Sequence, residues 1–151
     1  MADLQSVAAA VVAELASASL GFALTVTREF DPQIDLLSLP IGADDLASIT
    51  VVGRSVDTIR EDRTELRDTF VIDIGIRARL EQSYDTTADA MAVLTRKIGD
   101  YFWSGTVDGT RCIESATPTP FSPTHIAEHQ AWMSVVSITF QQTRAIPAKG
   151  A

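Results

Sequence analysis

The chain has 151 residues, which is enough for one domain with a buried core, and a formal net charge of −8 from 20 acidic and 12 basic residues. This charge argues against a general DNA-binding protein, because binding to phosphates requires a basic surface. The single cysteine, Cys112, excludes an intrachain disulfide framework and a cysteine zinc cluster. No apolar run is long enough to cross a membrane, so we expect a soluble protein.

The first predicted element is an amphipathic helix that begins after Asp3, a suitable N-cap. After Asp3, apolar residues recur at intervals of three and four residues, namely Leu4, Val7, Val11 and Leu15. The stretch "FALTVTREF", residues 22–30, then alternates as a strand does.

A long connection, "DPQIDLLSLPIGADD", occupies residues 31–45 and carries the apolar residues Leu36, Leu37 and Leu39. Loops of this length in compact domains are usually functional or bound to a partner. We therefore treat the three leucines as candidate interface residues. Packing of the loop against its own domain is the alternative, and the sequence leaves both open.

A short strand at residues 48–53 leads into a stretch of mixed charge at residues 54–68, "RSVDTIREDRTELRD", which predicts a hairpin arm. One interpretation is a solvated hairpin with weak ion pairs. The other is a contact with a neighbouring subunit through complementary charge. The candidate interface bases are Arg60, Arg63 and Arg67, and the accompanying acids are Glu61, Asp62 and Glu65.

The strongest pattern is the strict alternation of "FVIDIGIRARL", residues 70–80, which predicts a strand buried on one face only. A second amphipathic helix follows at residues 86–105, with Asp85 or Thr86 as its cap. One-sided burial is typical of an antiparallel or mixed sheet. The sequence thus predicts an α+β fold, a mostly antiparallel sheet with two main helices packed on one face.

The remaining elements are a short strand at "TRCIES", residues 110–115, a proline-rich excursion, and a last strand at "WMSVVSITFQQ", residues 132–142. Cys112 is expected to be a small buried residue of the short strand. We expect a single domain over residues 1–143 and a flexible tail over residues 144–151.

Residues 125–129, "HIAEH", match the H-x-x-E-H pattern of inverted zinc peptidases through His125, Glu128 and His129. A metal-dependent hydrolase would need both histidines on one face of a stable helix and a third ligand downstream. Prolines precede the motif, a strand follows it, and the remaining residues offer no third ligand. The sequence therefore favours a short helix or loop with solvated histidines, no metal, no cofactor and no enzymatic activity.

Several stretches together resemble the tail terminator and neck proteins of long-tailed bacteriophages and related particles. They are a starting helix that leads into "VTREFDPQIDLLSL", the strand "ITVVG", the arm "IREDRTELRDTFVIDIGI", one further helix, and the ending "WMSVVSITF". The resemblance covers most of residues 3–142 and rests on the order of elements rather than on an invariant signature.

The resemblance implies a structural virion protein, assembled in the host cytoplasm, that forms a hexameric ring. Such a ring caps the tail tube and joins it to the head–neck connector proteins, and DNA passes through its lumen without being bound specifically. Glu61, Asp62 and Glu65 would be candidate lumen acids if the arm points to the axis, or would pair with arginines at the rim. A head-completion or minor capsid protein of the same fold is the alternative.

Overall fold

The computed structural model of the chain describes residues 2–18, 20, 24–29, 47–80, 84–123 and 131–150. These residues form two helices and six strands. The helices are α1 (Leu4–Ser17) and α2 (Tyr84–Tyr101), and the strands are β1 (Leu24–Glu29), β2 (Ala47–Arg60), β3 (Glu65–Arg79), β4 (Thr106–Val107), β5 (Thr110–Thr119) and β6 (Ala131–Ala145). The predicted α+β class is confirmed.

All six strands belong to one sheet with the order β1-β2-β3-β6-β5-β4. β1 runs parallel to β2, and every other pair of neighbours is antiparallel. β6, the last of these strands along the chain, lies between β3 and β5. The sheet is therefore mixed and mostly antiparallel, as the alternation in β3 predicts.

Both helices pack on the same face of the sheet, which we call the helix-covered face. The alternate residues of β3 that point to this face are all buried, namely Phe70, Ile72, Ile74, Ile76 and Ala78. They share one apolar cluster with Val7, Val11 and Leu15 of α1 and with Met91, Leu94 and Ile98 of α2. The predicted core is confirmed, because a strand of period two and two helices of period 3.6 each bury one face.

Local hydrogen bonds fix the start of α1 and the contact between the helices. Asp3 is the N-cap, and its carboxylate accepts from the backbone N–H of Ser6 at 2.8 Å while Ser6 Oγ accepts from the N–H of Asp3 at 2.9 Å. Tyr101 at the end of α2 donates its hydroxyl to Glu14 of α1 at 3.1 Å. Burial, together with this bond to Glu14, raises the pKa of Tyr101.

The opposite, helix-free face of the sheet carries a mixture of polar and half-buried side chains. Val71 and Asp73 of β3 are only half-buried there. Asp73 accepts from Ser137 Oγ at 2.6 Å and lies 3.5 Å from the guanidinium of Arg54. This face is polar, as predicted, but it is not exposed along its whole length. Arg77 of β3 is 4% exposed and Thr50 of β2 is 1% exposed, so the predicted one-sided burial of β3 holds for its first half and is wrong from Ile74 to Ala78, where both faces are buried.

β5 is longer than predicted. The strand continues through Pro118 to Thr119, into the segment that the sequence assigns to a proline-rich excursion. The short β4 pairs only with Thr110 and Arg111, so no described strand pairs with the outer edge of β5 at Pro118. A proline without an N–H is tolerated on such an edge, and the register with β6 shifts between Ala116 and Thr119.

Two predicted boundaries also move. α2 begins at Tyr84, so Asp85 and Thr86 lie in its first turn rather than capping it. β6 continues through Ala145, so the sheet includes two residues that the sequence assigns to a flexible tail. The reason is Arg144, whose guanidinium is held by the buried carboxylate of Asp68.

Candidate functional site

The stretch of mixed charge forms a three-stranded arm. The arm comprises residues 54–60 of β2, 65–71 of β3 and 139–145 of β6, so the expected two-stranded hairpin has a third strand beside it. Val56 and Ile59 on β2 are 48% and 49% exposed. Val56 pairs with the buried Phe70 and points to the helix-covered face, whereas Ile59 pairs with Arg67 and points to the helix-free face. The arm thus exposes an aliphatic side chain on each face.

A β-bulge separates the arm from the helix-packed part of β2. The register with β3 shifts between Gly53 and Ser55, which leaves Arg54 as the extra residue and exchanges the faces to which odd and even positions point. At Gly53 an added Cβ would lie 2.8 Å from Cγ of Leu4, so α1 packs tightly against the strand just before the bulge. Helix coverage of β2 therefore stops where the arm begins.

A buried carboxylate joins the three strands of the arm. Asp68 is 4% exposed. It accepts from Thr58 Oγ1 of β2 at 2.7 Å, and from Gln142 Nε2 at 2.9 Å and Arg144 Nε at 2.6 Å, both in β6. Gln142 Nε2 also donates to the backbone carbonyl of Ala2 at 2.8 Å. Asp68 thus links the three strands, and Gln142 connects this cluster to Ala2 just before α1.

The charge state of Asp68 follows from these contacts. Burial raises the pKa of its carboxyl group, but the hydrogen bonds from Arg144, Thr58 and Gln142 outweigh burial, and the pKa is lowered overall. The hydrogen bond to Asp68 in turn raises the pKa of Arg144. Both groups are therefore charged at neutral pH, and the middle of the arm contains a stable ion pair.

The turn of the arm is organised by Asp62, one of the three candidate lumen acids. Its Oδ1 accepts from the backbone N–H groups of Thr64 and Glu65 at 2.7 and 2.9 Å, and from Thr64 Oγ1 at 3.0 Å. The hydrogen bonds from Thr64 are the main reason that the pKa of Asp62 is lowered. Asp62 thus stabilises the turn, because an aspartate can accept hydrogen bonds from the backbone N–H groups two and three residues ahead of it.

The other charged residues at the turn differ in their partners. Glu61 pairs with Arg67 at 3.2 Å, which fits the interpretation of rim ion pairs for this acid. Arg60, Arg63 and Glu65 are exposed. Among the described residues, Arg63 and Glu65 have no ion-pair partner. The structure therefore brings all six charged candidates of the arm to one end of the molecule. The side chains of Arg63 and Glu65 can form ion pairs with another molecule without breaking one described here.

A second surface, not predicted from the sequence, is a groove of about 360 Å³ between α2 and the β5–β6 side of the sheet. α2 and its end contribute Arg96, Asp100 and Trp103, and the strand side contributes Ser115, Phe121 and Trp132. Trp103 is 52% and Phe121 48% exposed, while Trp132 is buried. The groove thus has an aromatic lining with charged residues on its helical rim.

Hydrogen bonds hold the walls of the groove in place. Ser115 Oγ of β5 donates to the carbonyl of Gly99 in α2 at 2.7 Å. The indole Nε1 of Trp132 donates to Ser134 Oγ at 3.1 Å, and Ser134 shares a 2.8 Å hydrogen bond with Thr95 of α2. Phe121 packs against Trp132 with ring centroids 5.8 Å apart. The groove is therefore a preformed feature of the fold.

Sequence reasoning missed this groove because its aromatic residues are far apart in the chain. Trp103 follows a helix and Phe121 lies among prolines, so the local pattern predicts an isolated loop residue at each position. Cys112 lies on β5 as predicted but is only partly buried. Burial still raises the pKa of its thiol, which disfavours the nucleophilic thiolate.

Two sets of candidates lie outside the described residues. These are the loop leucines Leu36, Leu37 and Leu39, and the motif residues His125, Glu128 and His129. The predictions made for them stay predictions.

Within the part of the chain that the structure describes, no cluster of His, Cys, Asp and Glu could hold a metal ion. Of the described helices, neither is long and apolar enough to span a membrane. No protein-family model matches the chain, and the comparison with curated proteins gives no match either.

Proposed function

We propose that the chain is a structural subunit of a ring in a phage-like particle, a tail terminator that caps the tail tube and contacts the head–neck connector. The single observation that carries the proposal is the arm. It extends past the core residues Phe70 and Phe140, is held in its middle by the Asp68 ion pair, and exposes Val56 and Ile59 with charges of both signs. The resemblance of the sequence to terminator and neck proteins implies a ring, and in a ring such an arm can contact the neighbouring subunit.

The exposure of Val56 and Ile59 has a cost in free energy. Two half-exposed aliphatic side chains on a rigid strand ribbon lose the free energy that burial would provide, about 25 cal/mol per Å² of apolar surface. Scattered exposed aliphatic residues are ordinary on a monomer. Here they lie on an extension stiffened by a buried ion pair, so the arm can meet a partner without a large ordering cost. A contact between identical subunits is the simplest use of such an extension.

The charges of the arm suit a repeated contact between identical subunits. Arg60 and Arg63 lie close to Glu61 and Glu65, so a copy related by rotation can present the opposite sign to each. A contact between two different surfaces of identical subunits closes into a ring when the rotation allows it. We propose a hexamer on the basis of the resemblance.

The lumen of such a ring would let DNA pass without holding it. A subunit charge of −8 gives a sixfold ring a large negative excess, which opposes retention of a phosphate backbone. Of the three candidate lumen acids, Glu61 is already paired with Arg67 and Asp62 holds the turn. Glu65 is therefore the best candidate to face the axis.

The experiment is to measure the mass of the purified protein in solution over a range of concentrations and to image the assembly by electron microscopy. The proposal expects a mass that is a multiple of the 16.3 kDa subunit and images with a central channel. A protein that stays monomeric at about 100 µM, well above the range of most specific complexes, would overturn it. In intact particles, density at the head-proximal end of the tail indicates a terminator, whereas density at the head vertex indicates the head-completion alternative.

A further inference from the structure

The large apolar side chains that are exposed in the described structure fall into two groups. Val56 and Ile59 lie on the arm. Val93, Trp103, Ile113 and Phe121 lie on or near α2 and β5. β3 and β6 stand between β2 and β5 in the sheet. The two groups therefore cannot cover each other within one molecule.

Each group lies beside a sheet edge with which no described strand pairs. β1 pairs with β2 only as far as Val52, and β4 pairs with β5 only at Thr110 and Arg111. Among the described residues, the outer edges of β2 beyond Val52 and of β5 beyond Arg111 thus have no strand neighbour. An unpaired edge presents a row of backbone N–H and C=O groups. A strand of another chain can form hydrogen bonds with the whole row, which a small molecule cannot do.

We infer that β2 of the arm in one copy pairs with β5 of the next copy and places Val56 in the aromatic groove of that copy. The inference rests on the proposed ring and names the acceptor surface for the arm. β2 and β5 run in opposite directions within one sheet. If the neighbouring copy turns its helix-covered face to the same side as the first copy, the outer edge of its β5 runs antiparallel to the outer edge of β2 in the first copy.

The side chains agree with this arrangement. Val56 points to the helix-covered face, the face on which α2, Trp103 and Phe121 form the groove. Arg60 lies on the same face of β2 as Val56, and Asp100 lies on the rim of the groove. The arm thus offers an aliphatic side chain to an aromatic site, and Arg60 to a rim that carries Asp100 together with Arg96. A contact between Arg60 and Asp100 offsets part of the repulsion between subunits of net charge −8.

The test uses two variants, each defective in one surface. The arm variant is Val56→Asp with Ile59→Asp, and the groove variant is Trp103→Ser with Phe121→Ser. All four side chains are about half exposed, so both variants should fold, which circular dichroism and thermal unfolding check. Each variant alone should self-associate at least about 30-fold more weakly than the wild type, the effect typical of removing an interface anchor.

The decisive sample is a one-to-one mixture of the two variants. The arm variant retains an intact groove and the groove variant retains an intact arm, so the mixture should form a dimer with one copy of each and nothing larger. Light scattering after size exclusion measures this directly. The control is Val93→Ser, because Val93 is 50% exposed on α2 but does not line the groove. This variant should assemble as the wild type does.

The outcomes separate the inference from the proposed function. If the wild type forms rings and the groove variant does so equally well, the groove is not the acceptor and the ring proposal stands. If both variants are monomeric and their mixture stays monomeric, the arm and the groove do not contact each other, and the inference fails. A wild type that is monomeric throughout would overturn the ring and the inference together.

Discussion

Replacing Asp68 by asparagine should destabilise the fold substantially, although the two side chains have nearly the same shape. The carboxylate accepts four hydrogen bonds, from Thr58, from Gln142 and twice from Arg144. An asparagine in this place removes the negative charge and turns an N–H₂ group toward donors. The variant Asp68→Asn therefore leaves the Arg144 guanidinium without its counter-ion.

The magnitude follows from burial and from the number of bonds. A hydrogen bond to a charged group contributes about 1.5–3 kcal/mol, and losing one partner of a fully buried ion pair costs about 3–5 kcal/mol. The side chain of Arg144 is 22% exposed, so water screens part of the loss. We expect a decrease of about 2–3 kcal/mol in the free energy of unfolding at pH 7, which corresponds to a fall of about 5–10 °C in melting temperature.

The effect should depend on pH with a definite sign. Because the pKa of Asp68 is lowered from its ordinary value of 3.8, its carboxylate stabilises the folded state above that value. This contribution is lost as the pH falls through the folded-state pKa. The difference between the wild type and Asp68→Asn should therefore shrink when urea unfolding is repeated from about pH 6 down to about pH 3.

The matched control is Asp73→Asn on the helix-free face. Asp73 accepts one short hydrogen bond from Ser137, and its ion-pair partner Arg54 is 50% exposed. We expect a loss of less than about 1 kcal/mol for this variant. A loss of less than about 0.5 kcal/mol for Asp68→Asn, or an unchanged difference across the pH series, would refute the idea that this ion pair stabilises the arm.

Four further outcomes are expected. Ile74→Ala should lower the free energy of unfolding by about 2–5 kcal/mol because Ile74 is fully buried, while Val71→Ala on the helix-free face should cost clearly less; equal losses would contradict the face assignment. Arg60→Glu with Arg63→Glu should impair assembly and leave the monomer folded, whereas the lysine pair at the same positions should assemble; normal assembly of the glutamate variant would remove the arm from the interface. Protein purified without added metal should contain no stoichiometric zinc by elemental analysis, and zinc that disappears in His125→Ala with His129→Ala would restore the hydrolase alternative. Linear duplex DNA should bind more weakly than about micromolar at physiological salt in a fluorescence titration, and tighter binding would bring back a nucleic-acid function.

The parts of the fold that the sequence predicts are those with a clear local period. The alternation of β3 and the apolar stripes of α1 and α2 each state which face is buried, and the structure agrees. The sequence predicts too short a β5 because proline is typically a strand breaker, and Pro118 is tolerated only because β5 lies at the edge of the sheet at that point. An edge position is a property of the whole sheet and is invisible in a local pattern.

The candidate site was predictable only in part for the same reason. The arm is contiguous in sequence, so its charges could be recognised. Its third strand comes from residues about 75 positions away, and that pairing explains why Asp68 is buried rather than solvated. The groove joins Trp103, Phe121 and Trp132 through tertiary packing alone. No spacing rule links these three positions.

The central position of β6 has a consequence for biosynthesis. The pairing of β3 with β6 connects residues such as Ile74 and Val136, which are far apart in the chain, whereas the turn between β2 and β3 closes locally. A nascent chain can therefore form the local hairpin early, but the middle of the sheet stays open until residues 131–145 leave the ribosome. During this interval the inner edges of both β3 and β5 are unpaired and prone to aggregation. Ribosome stalling before residue 131 should thus make the emerging chain dependent on chaperones, and release of the last strand should end that dependence.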